Sequence, residues 1–302
     1  MPSPIRFLAD TCALRITTLI LVTCLLGFVG PASQADTRDQ DNPIANDEAL
    51  WIDLLDADLS KWEIFMGVPH TSVELPFDHP KSDDGTTGIP IGLNRDPKQV
   101  FSTRQEHGEV LLHVTGEIYA GLSTFDEFEN YHLSLQFRWG EKKWPPRLNK
   151  KRDSGLLYHA FGEHGAFWNV WLRCLEFQIQ ESDCGDFIGL AGPKAFANNG
   201  ETNELTGGYV SQTFDAELPH GQWNTLELFT FGDQALHVVN GIPVMHLTET
   251  QRADGESLTR GRIQLQSEAA EITYRRIRLR PIDAMPTHLL DAFERRFGQA
   301  DK

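Results

Sequence analysis

The segment YHLSLQFRW (131–139) places Leu133, Leu135 and Phe137 on one side of the chain and His132, Ser134, Gln136 and Arg138 on the other. A strict period of two is the signature of a strand with one buried and one polar face. The same rhythm returns in EVLLHV (109–114), SGLLYHAF (154–161), CLEFQIQ (174–180), WNTLELFTF (223–231), ALHVVN (235–240), RIQLQS (262–267) and EITYRRIRLRPI (271–282), with a further strand expected over 117–123. Gly, Pro, Asn and Asp break the chain between them, and Asn240-Gly241 marks a tight hairpin turn. Helical periodicity is scarce and is best in THLLDAFERRF (287–297), where Leu289, Leu290, Phe293 and Phe297 share a face. These features predict an all-β domain, a two-sheet antiparallel sandwich over 49–283, followed by a C-terminal helical tail over 284–302. Segments 66–100 and 191–222 show no clear strands and are expected to wall a cleft.

The N-terminus belongs to a different class of sequence. Arg6 and Arg15 precede an apolar run, 16–29, and small residues Ser33 and Ala35 stand before Asp36. This is the pattern of a signal peptide over 1–35 rather than a stable membrane span, and it predicts export to the periplasm or beyond. A polar leader, 36–48, is expected to be disordered. The formal net charge of −16 disfavours nucleic acid as a partner. Past the leader only Cys174 and Cys184 remain, and a straight strand between them holds them beyond disulfide reach.

In LEFQIQESDCGDF (175–187) the core set is Leu175, Phe177 and Ile179, so Glu176, Gln178 and Gln180 line the outer face at intervals of roughly 6.5–7 Å. One carboxylate and two amides suit sugar hydroxyls, and Trp144, Trp168 and Trp171 offer stacking surfaces; a solvated polar face is the plain alternative. A two-carboxylate glycosidase would have to borrow its second acid from Asp183, Asp186 or Glu268, because the strand supplies only one.

The pattern RDSGLLYH, LEFQIQESDCGDF, QWNTLEL, NGIPV, GRIQLQSE and ITYRRIRLRPI, in that order between 51 and 282, resembles the 3-keto-disaccharide hydrolase family, whose members are also described as 3-keto-glucoside lyases and 3-keto-2-hydroxy-glucal hydratases. It departs at Asp153, where members often carry Asn. The resemblance implies a jelly roll like that of concanavalin A, export, and action on a 3-keto-glycoside made by a separate 3-dehydrogenating oxidoreductase. The chemistry so implied is proton abstraction at carbon 2, expulsion of the carbon 1 substituent, and addition of water to the resulting glucal.

Such a reaction needs a base, an enolate stabiliser and an acid. Glu176 is the candidate base, His159 or Arg138 the stabiliser, and Glu268 a second acid, with Gln178, Gln180, Tyr158 and Trp168 as substrate contacts; the plain alternatives are a His159 bonded to a backbone carbonyl and a Glu268 that pins a loop. A divalent ion, Ca or Mg, held by Asp183 and Asp186 is an alternative electrophile, although DCGD is equally a good turn sequence. Two other readings stand beside this one: a non-catalytic glycan-binding module and a conventional two-carboxylate glucanase.

Overall fold

A computed structural model describes residues 50–297. The proposed signal peptide, the leader and the last residues of the tail lie outside the described residues. The chain forms two antiparallel sheets packed face to face. The larger sheet runs β12 (Asn203–Thr206), β11 (Lys194–Asn198), β15 (Ile242–Gln251), β14 (Gln234–Val239), β13 (Asn224–Phe231), β7 (Tyr131–Lys143), β17 (Ala270–Pro281), β5 (Glu109–Val114) and β4 (Phe101–Glu106). A short β1 (Ile52–Asp53) adds to β17. The second sheet runs β10 (Phe187–Leu190), β9 (Arg173–Gln180), β8 (Asp153–Phe161), β16 (Arg262–Ser267), β6 (Ala120–Thr124), β2 (Trp62–Met66) and β3 (Gly92–Leu93). Antiparallel order throughout, with non-consecutive strands brought side by side, makes this a jelly-roll sandwich.

The alternation in β7 is obeyed as written: Leu133, Leu135, Phe137 and Trp139 are buried between the sheets, while Ser134, Gln136 and Arg138 are only partly covered. The same core takes Leu175, Phe177 and Ile179 from β9 and Ile272, Tyr274, Ile277 and Leu279 from β17. Helix α1 (Thr287–Phe297) lies on the outer face of the larger sheet, where Leu289 and Leu290 pack against Phe229, Leu236 and Val238. Cys174 and Cys184 are free. Cys174 belongs to a small apolar cluster outside the second sheet and Cys184 to the inter-sheet core, so the sheet itself separates them.

Two expectations need correction, and one alternative, a solvated polar face on β9, falls. The 191–222 segment is not strandless, since β11 and β12 extend the larger sheet within it. The 66–100 segment contains β3 and buries Val68, Val73, Ile91 and Val100, so part of it is core rather than wall. Most consequentially, the outer face of β9 is not solvated. Cys174, Glu176 and Gln178 are buried on that face, because segments 144–152 and 162–172 pack over it.

Candidate active site

Strand pairing brings the polar outward residues of three strands into rows. Asp153 of β8 is opposite Gln180 of β9, Gly155 opposite Gln178, and Leu157 opposite Glu176. On the other side of β8, Gln264 of β16 pairs with Leu157, and Glu268 bridges to Asp153. One sheet face therefore carries Glu176, Gln178, Gln180, Asp153, Gln264, Gln266 and Glu268. Gly155 sits among them for a steric reason: a Cβ there would collide with Glu176 Oε1 and Gln266 Oε1.

Over this floor lies a cavity of about 260 Å³, walled by Phe167, Trp168 and Trp171 on one segment, Arg147 on another, and Tyr209, Ile188 and Leu190. The aromatic wall is secured from behind. Trp171 Nε1 donates to the Ala120 carbonyl at 3.2 Å, Phe167 and Trp171 exchange backbone hydrogen bonds at 3.0 Å, and Asn169 Nδ2 donates to the Thr86 carbonyl at 2.7 Å. Thr86 belongs to the 66–100 segment, which thus supports the wall rather than forming it.

Three carboxyls, Glu176, Asp153 and Glu268, share this small space with one guanidinium among the described lining residues. Arg147 Nη2 is paired with Asp153 Oδ2, and its Nη1 lies 3.2 Å from Glu268 Oε1. Burial, and then the Asp153 charge, push the Glu176 carboxyl well above the usual carboxylate range, while hydrogen bonding from Gln266 works the other way. Burial likewise raises Glu268 strongly, with Asp153 adding to it and Arg147 opposing it. Asp153 is pushed up to about 7, because loss of water outweighs the attraction of Arg147. Arg147 supplies one positive charge against three buried acids, an imbalance that favours their protonated forms. Arg147 Nε, Asp153 Oδ1 and Gln266 Oε1 are buried without a protein hydrogen-bond partner.

The expected site residues divide between this cavity and elsewhere. Glu176, Gln178, Gln180, Trp168 and Glu268 all line it. His159 does not: its Nδ1 donates to the Leu258 carbonyl at 3.0 Å inside the sandwich, and its ring packs on Tyr131 and Tyr158. Tyr158 also points inward, bonding His237 Nε2 at 3.0 Å. Arg138 lies on the other sheet, its guanidinium 4.7 Å from the Trp223 ring. Asp186 is adjacent rather than lining; its carboxylate accepts from Tyr209 Oη and, at 2.6 Å, from the Gln212 amide. Both oxygens of Asp183 accept from Lys151 Nζ at 2.7 Å. Among the described residues no three His, Cys, Asp or Glu side chains converge as metal ligands.

The 3-keto-alpha-glucoside-1,2-lyase-like domain matches residues 50–280, which spans both sheets and every residue of the cavity. The chain belongs to this family. Solved structures are similar at low identity. Two provisionally named glycosyl hydrolases from Parabacteroides distasonis ATCC 8503 are similar at 17% and 13% identity, covering 77% and 79% of this chain and 99% and 97% of theirs, with TM-scores of 0.44 and 0.48. LamAcat from Zobellia galactanivorans is similar at 9% identity, with 73% and 91% coverage and a TM-score of 0.40. No curated protein is a significant match. For this member of the 3-keto-alpha-glucoside-1,2-lyase-like family, a carbohydrate-active role is thus supported by the family itself.

Sequence reasoning missed Gln264, Gln266, Arg147 and Tyr209. For the glutamines a signal existed: RIQLQSE alternates as LEFQIQ does, presenting Gln264, Gln266 and Glu268 outward. For Arg147, in PPRLNK, there was none. The Gly155→Ala variant gives a direct check on the geometry. It is expected to lose about 1 to 3 kcal/mol of stability through overpacking and to displace Glu176, seen as a lowered denaturation midpoint together with lost turnover.

Proposed function

We propose that the protein is an exported enzyme that cleaves 3-keto-glycosides by elimination, followed by hydration of the glucal. The observation that carries this reading is a buried carboxyl, Glu176, held well above its ordinary range on the floor of a cavity that also holds a second buried acid and a guanidinium. Such a group is matched to removing a carbon acid's proton near neutral pH. Ionised Glu176 takes the proton from carbon 2, and the bonding pair becomes the enolate of carbons 2 and 3. Arg147 and the neighbouring amides stabilise the enolate oxygen. As the ketone re-forms, the carbon 1 to oxygen bond breaks and protonated Glu268 gives its proton to the departing oxygen. Water then adds at carbon 1, giving one proton to the Glu268 carboxylate, while Glu176 returns a proton to carbon 2, so both acids regain their starting states. A separate oxidoreductase must first make the 3-ketone.

The test supplies a 3-keto-glucoside with a chromogenic leaving group, and the matching unoxidised glucoside, in deuterated water with and without chelator. Turnover of the keto compound alone, with deuterium at carbon 2 of the product, is expected; chelator sensitivity would assign a metal. A second reading, ordinary acid/base hydrolysis, is favoured by the presence of Asp153 and Glu268 in the same cavity as Glu176. Equal turnover of the unoxidised glucoside without deuterium uptake would establish it.

The pH profile separates the acids. The ascending limb of kcat/KM should lie well above the ordinary carboxylate range, because Glu176 must ionise to act. Burial is the larger cause of that displacement and Asp153 the next, so Asp153→Asn is expected to retain activity and move the limb to lower pH. An unmoved limb would mean that another group titrates there.

A further inference from the structure

The mouth of the cavity carries two exposed aromatic rings that the steps at carbons 1 and 2 leave unused. Trp168 is 47% exposed and Tyr209 51%. Neither is loosely held. Tyr209 Oη donates to the carboxylate of Asp186, which is itself buried and fixed by the Gln212 amide. Trp168 lies against Phe167 with ring centroids 4.9 Å apart and planes 22° from parallel, and Trp171 is behind it at 5.6 Å. Trp168 and Asn169 adopt φ values of 53° and 57°, a left-handed backbone that non-glycine residues seldom take, and the Asn169 bond to Thr86 ties that turn down. Exposed rings anchored in this way are preorganised surfaces, and their ordering cost is met before a ligand arrives.

The size of the cavity says what they are for. At about 260 Å³, lined by Trp168 and Tyr209 as well as by the floor, it falls below the roughly 300–1,000 Å³ of pockets that enclose drug-sized ligands, so a sugar ring seated on the floor leaves little enclosed room for a second. Any ring attached at carbon 1 must then lie outside the floor, among the side chains at the mouth. We propose that Trp168 and Tyr209 form a leaving-group subsite that takes the flat face of a ring carried on carbon 1, either glycosyl or aryl. Aromatic faces stack on both, through the C–H face of a sugar or the π-face of an arene. This rests on the elimination reading for its reaction, but its recognition of a ring can be measured without turnover.

The experiment compares 3-keto-glucosides bearing methyl, glucosyl and phenyl groups at carbon 1, with wild type, Trp168→Ala, Tyr209→Ala and Tyr209→Phe. Each variant is referred to wild type on the same substrate, so differences in leaving-group basicity cancel. The ratio of kcat/KM for ring over methyl substrates is expected to fall about ten-fold in the two alanine variants and less in Tyr209→Phe, which keeps the ring but loses its anchor. A fall confined to phenyl assigns the subsite to aryl groups, and one confined to glucosyl assigns it to sugars. Equal losses on all three substrates would overturn the subsite and leave Trp168 and Tyr209 a structural role.

Calorimetric titration with unoxidised phenyl and methyl glucosides is the companion measurement. Wild type is expected to bind the phenyl compound about ten-fold more tightly, and Trp168→Ala to lose that preference. If no keto-glucoside is turned over yet this preference is seen, elimination fails and the subsite stands. If keto-glucosides are turned over with deuterium at carbon 2 of the product and no ring preference in either measurement, elimination stands and the subsite fails.

Discussion

Glu176→Gln is expected to lower kcat on a 3-keto-glucoside by roughly 10²–10⁴-fold, the usual contribution of a positioned general base, with the fold intact. The substitution is isosteric, and it replaces a buried acid by an amide of the kind already present at Gln178 and Gln266. Its effect on stability has a definite sign. The folded state raises the Glu176 pKa above its unfolded value, so wild type binds the proton more tightly when folded. Stability is then full below the ordinary Glu range and declines as pH rises through it toward the raised folded value. Glu176→Gln lacks that decline, so its thermal midpoint relative to wild type should climb with pH across that window. A variant that is inactive and also markedly less stable at neutral pH would show that Glu176 serves the fold, which is contrary to the base assignment.

Arg147→Met is expected to be the most destabilising single change in the cavity. Removing one member of a buried ionic cluster costs about 3 to 5 kcal/mol, because the charges left behind stay out of water. Asp153 and Glu268 are almost wholly buried, and the Arg147 side chain is only 21% exposed, so the figure applies with little discount for solvent. The loss must depend on pH. Arg147 opposes the rise of both acids, and without it their folded pKa values climb further above the unfolded ones. The deficit should therefore be small in acid, where both carboxyls are neutral in either state, and grow as pH rises past the ordinary Asp range toward and beyond about 7, where Asp153 titrates in the folded wild type. Denaturant unfolding at pH 4, 6 and 8 would measure it. A deficit of the same size at all three would reduce Arg147 to a packing role. Adding Asp153→Asn should recover part of the loss at pH 8.

Strand β9 is legible in the sequence because its two faces differ in kind. Leu175, Phe177 and Ile179 can only be core, which fixes Glu176, Gln178 and Gln180 on the opposite face. What cannot be read there is that this face is covered. Its cover comes from segments 144–152 and 162–172, whose positions depend on contacts such as Trp144 Nε1 to the Thr115 carbonyl and Trp171 Nε1 to the Ala120 carbonyl, both long in sequence. His159 shows a different failure. Counting by twos from Asp153 and Gly155 puts it on the cavity face, but its φ of 48° and the register shift between Tyr158 and Phe161 break the count and turn it inward. Tyr158, by contrast, falls on the core face by the same count and lies there. The strands of Arg138 and His159 are consecutive in the chain, which suggests that the two are neighbours, yet β7 and β8 belong to different sheets.

The strand order also governs when this protein can exist during its own synthesis. β16 lies between β8 and β6, and β17 lies between β7 and β5, so the last two strands of the chain are inserted at the middle of the two sheets. Until residues 262–281 emerge, each sheet is split into halves with open edges, and the cavity floor lacks Gln264, Gln266 and Glu268. An N-terminal fragment ending before β16 is then an adhesive product with no partial activity, prone to pair with its neighbours through those edges. Completion of both sheets therefore waits for the end of the chain, a delay that suits the proposed export, in which a chain crosses a membrane unfolded before it acquires its shape.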